Sequence, residues 1–392
     1  MTKPRDDKTQ SFWSVFQVFL RLGLTSFGGP AAHLGYFHDE FVKRRRWLSD
    51  AAYGEIVALC QLLPGPASSQ VGLTLGFLQR GYGGAFAAWL GFTLPSALLM
   101  TAFAFGFNLW PDAGASGWIA GLKLFVVAVV AQAVWQMGKT LCPDATRLSL
   151  ALAVAIVLLV VGEAWIQIVA LIAAGAIGMM VHRPGSETGA ELNLRIQGRW
   201  PWLFAGLFAV LLVLALLPRD DTGLLWLAGE MYRSGALVFG GGHVVLPWLQ
   251  EGFVASGQMP ADTFLAGYGA AQAVPGPLFT FSAFLGAIEG GLAGALVATL
   301  AVFLPGSLLV FAGLPLWAYL RRHPHARAAL AGVNAGVVGL LLSALYDPVW
   351  VSAIHSGTGL ALTLALWAGL ALWRVPVWIL APASALAGVV LF

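Results

Sequence analysis

The chain has 392 residues, 59% of them hydrophobic and 10% charged, with a mean hydropathy of +0.80. A soluble chain of this size carries roughly 25% charged residues to cover its surface. This composition therefore excludes an ordinary cytosolic enzyme, a disordered protein and a nucleic-acid binder, and leaves a polytopic helical membrane protein. In chain order, Lys3, Arg5 and Lys8 form a short cytoplasmic tail, residues 1–11, ahead of an apolar run over 12–24. No small-residue cleavage site follows that run, so it is read as part of the mature chain. It ends at Phe27-Gly28-Gly29-Pro30, and the apolar stretches 51–63 and 67–78 flank Pro64-Gly65-Pro66. Each is well short of the ~20 residues that cross a ~30 Å hydrocarbon core. Proline stops the preceding helical turn and glycine admits a reversal. Each motif thus predicts the tip of a helical hairpin that enters the membrane and turns back, with two short tilted helices as the alternative.

Residues 86–109 and 118–138 are long enough to cross, and 148–181 hold two crossings that turn at Glu163. A polar linker, 182–199, leads to another crossing, 200–217. The second half repeats this order, with crossings over 290–312 and 328–346 and two more within 349–392, turning at Arg374. Cys60 and Cys142 stand alone and read as small packing residues.

The chain contains itself twice. Arg21-x-Gly23-x-x-x-Phe27-Gly28-Gly29 recurs as Arg233-x-Gly235-x-x-x-Phe239-Gly240-Gly241, and Gln61-x-x-Pro64-Gly65-Pro66 as Gln272-x-x-Pro275-Gly276-Pro277. Leu94-Pro95 recurs as Leu304-Pro305, and Gly121 with Val126-Val127 as Gly332 with Val337-Val338. All four pairs keep one order at an offset of about 211 residues, which marks a duplication. The predicted organisation is a first repeat over 12–185, a linker and inverting helix over 186–223, and a second repeat over 224–392.

Charge orients the repeats. Lys43-Arg44-Arg45-Arg46 faces an uncharged partner loop, 255–258. The loop 111–117 carries only Asp112, whereas its partner, 321–327, carries three arginines and two histidines. Short basic loops stay cytoplasmic, so the halves should be inverted relative to each other. The predicted fold class is all-α: two inverted-topology repeats with about nine full crossings plus four re-entrant hairpins. The N-terminus would be cytoplasmic and the C-terminus on the opposite side of the membrane.

Irregular backbone at membrane depth survives only when buried in protein or lining a wet cavity. Four tips from two inverted halves would meet near the midplane. The helices that start there would aim free N–H groups at one point, which suits an anion; the plain alternative is that the motifs only pack and kink. Arg21 and Arg233 lie in apolar segments at equivalent places, and a guanidinium offers a planar fork of donors to an oxyanion. Two of them brought together would balance a dianion; a snorkelling position near an interface is the other reading. Lys123, opposite Asn334, breaks the symmetry and reads equally as a snorkelling residue or a substrate contact. His33 and His243 follow the Gly-Gly motifs, and Ser68, Ser69, Thr280 and Ser282 follow the Pro-Gly-Pro tips as hydroxyl donors. Glu40 and Glu251, taken as an aligned pair, and Glu55 are candidates for relaying protons. His33, His38, Asp39 and Glu40 lack the spacing of a helical metal site, and neither a metal nor a cofactor is expected.

Ser26-Phe27-Gly28-Gly29-Pro30-x-x-His33, Gln61-x-x-Pro64-Gly65-Pro66 and their second-half forms resemble the chromate ion transporter family in its long, two-domain form, over nearly the whole chain. The resemblance implies efflux of chromate and hence chromate resistance, with sulfate or another oxyanion as the alternative cargo. It also implies importance for Arg21, Phe27, Gly28, Gly29, Pro30, Pro64, Gly65 and Pro66, and for Arg233, Gly240, Gly241, Gly242, Pro275, Gly276 and Pro277. Gly242 stands opposite Pro30, and Val245 opposite His33, so the two Gly-Gly hairpins are not interchangeable. The partners expected are the oxyanion and the lipid bilayer, not nucleic acid, with a homodimer left open. A reading from another class, a membrane enzyme built on His33, Asp39 and Glu40, is the less favoured one.

Overall fold

The computed structural model describes residues 10–108, 117–161, 164–181, 199–217, 222–239 and 242–392. Expectations that fell on Lys3, Arg5, Lys8, Asp112, Glu163, Gly240, Gly241 and most of the linker lie outside these residues.

The described residues form helices joined by short breaks, with no strand among them. The first half runs α1 (Phe12–Thr25), α2 (Gly29–His38) continued by a π-helical turn (Asp39–Arg44), α3 (Asp50–Leu62), α4 (Ala67–Asn108), α5 (Gly117–Leu141), α6 (Ala145–Val161) and α7 (Ala164–Val181). Helix α8 (Trp200–Leu216) connects the halves. The second half runs α9 (Leu224–Ala236), a 3-10 turn (Gly242–Val244), α10 (Val245–Gln250) with its own π-helical turn (Glu251–Ala255), α11 (Ala261–Ala273), a 3-10 turn (Leu278–Thr280) and α12 (Phe281–Arg322). It ends with α13 (Pro324–Ala344), a π-helical turn (Leu345–Trp350), the single turn α14 (Val351–Ala353), α15 (Gly357–Ala371) and α16 (Val377–Leu391). The segment expected to cross from residue 349 therefore starts later, at Gly357. Serines cap where the sequence allows: Ser11 accepts from the Ser14 amide, Ser49 from Ala52 and Ser356 from Gly359.

Helix α4 is a hairpin rather than a rod. At Arg80 (φ −155°, ψ 32°) and Gly81 (φ 57°, ψ −148°) the backbone leaves the helix. Residues eight apart in a straight helix are ~12 Å apart at ~1.5 Å per residue. Here a Cβ on Gly76 would collide with the carbonyl of Gly84, and one on Gly84 with the carbonyl of Gly76. The arms 67–79 and 82–108 therefore fold back on each other. Helix α12 does the same at Gly290 (φ −146°, ψ 25°) and Gly291 (φ 58°, ψ −145°), with Gly286 against Gly294. Near-identical torsions at matching positions are the structural imprint of the duplication.

The π-helical turns correct one alignment. The Trp47 amide donates to the Phe41 carbonyl, and the Met259 amide to the Phe253 carbonyl, both at 2.7 Å. This register pairs Asp39 with Glu251 and Glu40 with Gly252, so Glu40 and Glu251 are not equivalents. One residue is lost from the second half between this turn and the Pro-Gly-Pro motif, which is why the spacing misled.

The last helices of each half pack on the other half. Helices α6 and α7 lie against α13, and α15 and α16 against α5. Glycine permits these approaches: Gly178 meets Gly332, Gly339 meets Ala151, Gly121 meets Ser384 and Gly388 meets Gly117. Among the described residues, four helices are long and apolar enough to cross a membrane, within 67–107, 117–141, 278–314 and 324–353. Large apolar side chains stay outside the packing on α6, α7, α8 and α16, among them Val160, Met180, Trp202 and Val390. A surface this apolar suits lipid rather than water.

Candidate functional site

The Gly-Gly and Pro-Gly-Pro motifs are breaks between short helices. Gly28 (φ 98°) and Gly29 (φ 77°) turn the chain from α1 into α2, with Pro30 in the first helical turn. Gly65 (φ 123°) and Gly276 (φ 103°) turn it at the Pro-Gly-Pro motifs, where an L side chain would be strained.

The breaks meet across the halves. The Gly65 amide donates to the carbonyl of Val238, one residue before Phe239, at 2.7 Å. The Gly276 amide donates to the carbonyl of Ser26, one residue before Phe27, at 2.9 Å. Each Pro-Gly-Pro turn thus bonds the opposite half's Gly-Gly turn, reciprocally. Each also rests on the opposite half's long arm. A Cβ on Gly65 would come within 2.8 Å of Gly306 Cα, and one on Gly276 within 2.6 Å of Ser96 Oγ. Gln70 clasps the first turn, donating to the carbonyls of Pro64 at 2.8 Å and Gly306 at 3.2 Å.

The histidines join this region. His33 is fully buried, with Nδ1 3.4 Å from Ser68 Oγ and its ring edge-on to Phe92. Nδ1 of His243 is 2.9 Å from Tyr268 Oη, and its Nε2 faces Gly29, 3.9 Å from where a Cβ would stand. Around the turns, Ser26 Oγ, His33 Nε2, Ser69 Oγ, Gln70 Oε1, Gln272 Nε2 and Ser282 Oγ are buried without a hydrogen-bond partner among the described residues. Leaving such an atom unpaired costs about 1–3 kcal/mol, so a group of them marks a place built for water or a polar ligand. Thr280 is not among them, because its hydroxyl donates to the Pro277 carbonyl at 2.8 Å. Gly28 is exposed and Phe27, against Trp378, and Pro64 are half-buried, so the turns are reachable.

Other expected residues have partners of their own. Arg21 is exposed and lines a shallow pocket with Thr25, Tyr36, Asp39, Glu40 and Arg44 of its own half. Arg233 donates to Glu230 at 2.7 Å, also within its own half. Each guanidinium thus has neighbours from its own half around it. Lys123 is paired with Asp262 at the start of α11, Nζ to Oδ1 2.7 Å, which occupies it away from the turns. Glu55 lies in the first half of α3, about two helical turns from Pro64. Glu40 is held by Arg45 at 2.6 Å and Arg44 at 3.0 Å. Asp39 bonds Lys43, which holds the carboxyl below and the ammonium above its usual range. His38 pairs with Asp50, Nε2 to Oδ1 2.6 Å, and its Nδ1 lies 3.8 Å from Asp39.

Sequence reasoning missed Tyr268, Ser26, Gln70, Asp262 and Glu230. Two had local signals. Tyr268 and Gln272 sit four apart on one helix face, and Glu230 and Arg233 three apart.

A sequence model described as Chromate transporter matches residues 13–179 and again residues 225–389. The probable chromate transport protein of Synechococcus elongatus is 29% identical over 342 residues, 86% of this chain and 84% of that protein. The chromate transport protein of Pseudomonas aeruginosa is 29% identical over 348 residues, 88% of this chain and 82% of its own. That of Cupriavidus metallidurans is 28% identical over 343 residues, 86% and 82% respectively. No solved structure matches the chain.

Proposed function

Because this chain belongs to the chromate transporter family, we propose that it carries chromate, or a closely related tetrahedral oxyanion, out of the bacterial cell across the inner membrane, conferring resistance. The observation that carries this reading is the family match in both halves, with relatives named for chromate transport along most of the chain.

The geometry supports a location. Reciprocal bonds between the turns are what a two-fold relation between the halves produces, and the opposed loop charges support placing that axis in the membrane plane. In this topology the crossings are the long arm of α4, then α5, α6, α7 and α8, the long arm of α12, then α13, α15 and α16. The α1/α2, α3/α4, α9/α10 and α11/α12 turns are the four re-entrant tips. The oxyanion would sit among the Gly28, Gly29, Gly65 and Gly276 turns, taking donors from helix starts, Ser68, Ser69, His33 and His243. Arg21 and Arg233 would flank this site as electrostatic attractors.

Export is the direction that the membrane potential favours. Moving one charge through 100 mV is worth ~2.3 kcal/mol, so an outgoing dianion gains ~4.6 kcal/mol, about three decades of gradient. The test is chromate accumulation by inside-out vesicles with potential and pH gradient imposed separately. Accumulation driven by a lumen-positive potential is expected; vesicles that accumulate no more than protein-free controls reject the reading. Sulfate that competes with chromate at equal concentration would favour the broader oxyanion permease.

A further inference from the structure

In the second half, Glu230 Oε1 occupies the space where a side chain on Gly252 would begin. Gly252 is the counterpart of Glu40, and Glu230 that of Val18, in the register set by the π-helical turns. A carboxylate thus stands at the same place in both halves, presented from the π-helical turn in the first and from α9 in the second. The two are similarly enclosed, with side chains 11% and 10% exposed. In the first half the carboxylate is engaged by Arg44 and Arg45, and Arg21 lies across the pocket with no ion pair among the described residues. The second half has Ser256 and Gly257 at those arginine positions, and Glu230 takes Arg233 instead. Arg233 keeps a buried Nε without a partner among the described residues, a spare donor beside the carboxylate.

We infer that the Glu230–Arg233 pair is a proton-operated latch on an oxyanion subsite: protonation of Glu230 releases Arg233 to bind the anion. This rests on the oxyanion reading above. A negative carboxylate and an oxyanion compete for one guanidinium. A proton added to Glu230 Oε1 from water removes the carboxylate's charge and leaves Arg233 uncompensated. Anion affinity then rises as pH falls, and by linkage a bound anion raises the proton affinity of Glu230 by the same factor. The charged groups facing Glu230 are Arg233 on its own helix and Glu251 on the π-helical turn. Helices α8 and α10, which also pack on α9, carry no ionisable side chain, and Glu289 of α12 lies at the far end of α9, next to Gly290, which meets Leu224.

The test is chromate binding to purified full-length protein in detergent, followed by calorimetry between pH 5 and 8. Wild-type affinity should rise about tenfold toward low pH. Glu230→Gln should bind at every pH with the affinity that wild type reaches only in acid. The exchange Glu230→Val with Gly252→Glu presents the carboxylate from the π-helical turn, as in the first half, but leaves it facing Arg233, and should restore the pH dependence. A Glu230→Gln protein that keeps wild-type pH dependence, or one whose melting curve matches wild type but that no longer binds, overturns the latch. If Glu230→Gln fails to fold, the exchange variant decides: pH-independent binding there overturns it equally. Wild-type protein that binds neither chromate nor sulfate at any pH refutes the transport reading itself, and the latch with it.

Discussion

The backbone amide of Gly65 and the carbonyl of Val238 meet at 2.7 Å, joining the Pro-Gly-Pro turn of one half to the Gly-Gly turn of the other. The twin bond, Gly276 to Ser26, closes at 2.9 Å. Only a chain without a side chain at residues 65 and 276 can make both bonds, since each glycine has a positive φ and backbone or Ser96 within 3 Å of the missing Cβ. Gly65→Ala and Gly276→Ala should each lower stability by about 1–3 kcal/mol and cut chromate transport at least tenfold. Thermal unfolding in detergent and vesicle transport check this; wild-type behaviour in both would show that the turns do not need this fit.

The fold-back of α12 rests on Gly286 against Gly294, and that of α4 on Gly76 against Gly84. Either glycine replaced by valine forces the arms apart. Loss of folded protein, or destabilisation by about 3 kcal/mol, is expected from Gly286→Val. Gly206→Val, at an open position on α8, should be tolerated. Size-exclusion profiles and melting curves of the two variants compare them directly.

Tyr268 positions His243 through its hydroxyl, at 2.9 Å, while the ring packs against Phe281. Tyr268→Phe removes the hydroxyl and keeps the ring. Stability should fall by about 1 kcal/mol, with transport reduced several-fold because His243 loses its orientation toward Gly29. Unchanged transport kinetics would place His243 outside the transport route.

Lys123 and Asp262 form an ion pair between α5 and α11 away from the turns. Lys123→Ala should cost about 1 kcal/mol without altering chromate affinity. The exchange Lys123→Asp with Asp262→Lys should recover most of the loss. A fall in chromate affinity that the exchange does not repair would return Lys123 to the binding site.

Much of the helical plan was readable because it follows from short-range chemistry. Gly28-Gly29 and Pro64-Gly65-Pro66 cannot continue a helix, so α1 and α3 end where the sequence says they must. The reversal at Arg80 and Gly81 was less legible, since Gly81-Tyr82-Gly83-Gly84 permits many conformations, and Gly76 reveals its role only when Gly84 is seen against it. The arginines show the limit most clearly. Arg21 and Arg233 are equivalent in sequence, but Arg233 pairs with Glu230 of its own helix, and the counterpart of Glu230 in the first half is Val18. No local pattern tells that Gly252 leaves room for a carboxylate from another helix.

The amino-acid sequence by itself determined the membrane character, the duplication, the helix breaks and the resemblance to one family, because composition, spacing and turn chemistry act along the chain. Tertiary structure decided which breaks touch, which half each terminal helix packs on and which acid each base finds. Those outcomes depend on contacts between residues far apart in sequence, where a single missing atom, the Cβ of Gly65 or Gly252, settles what can approach.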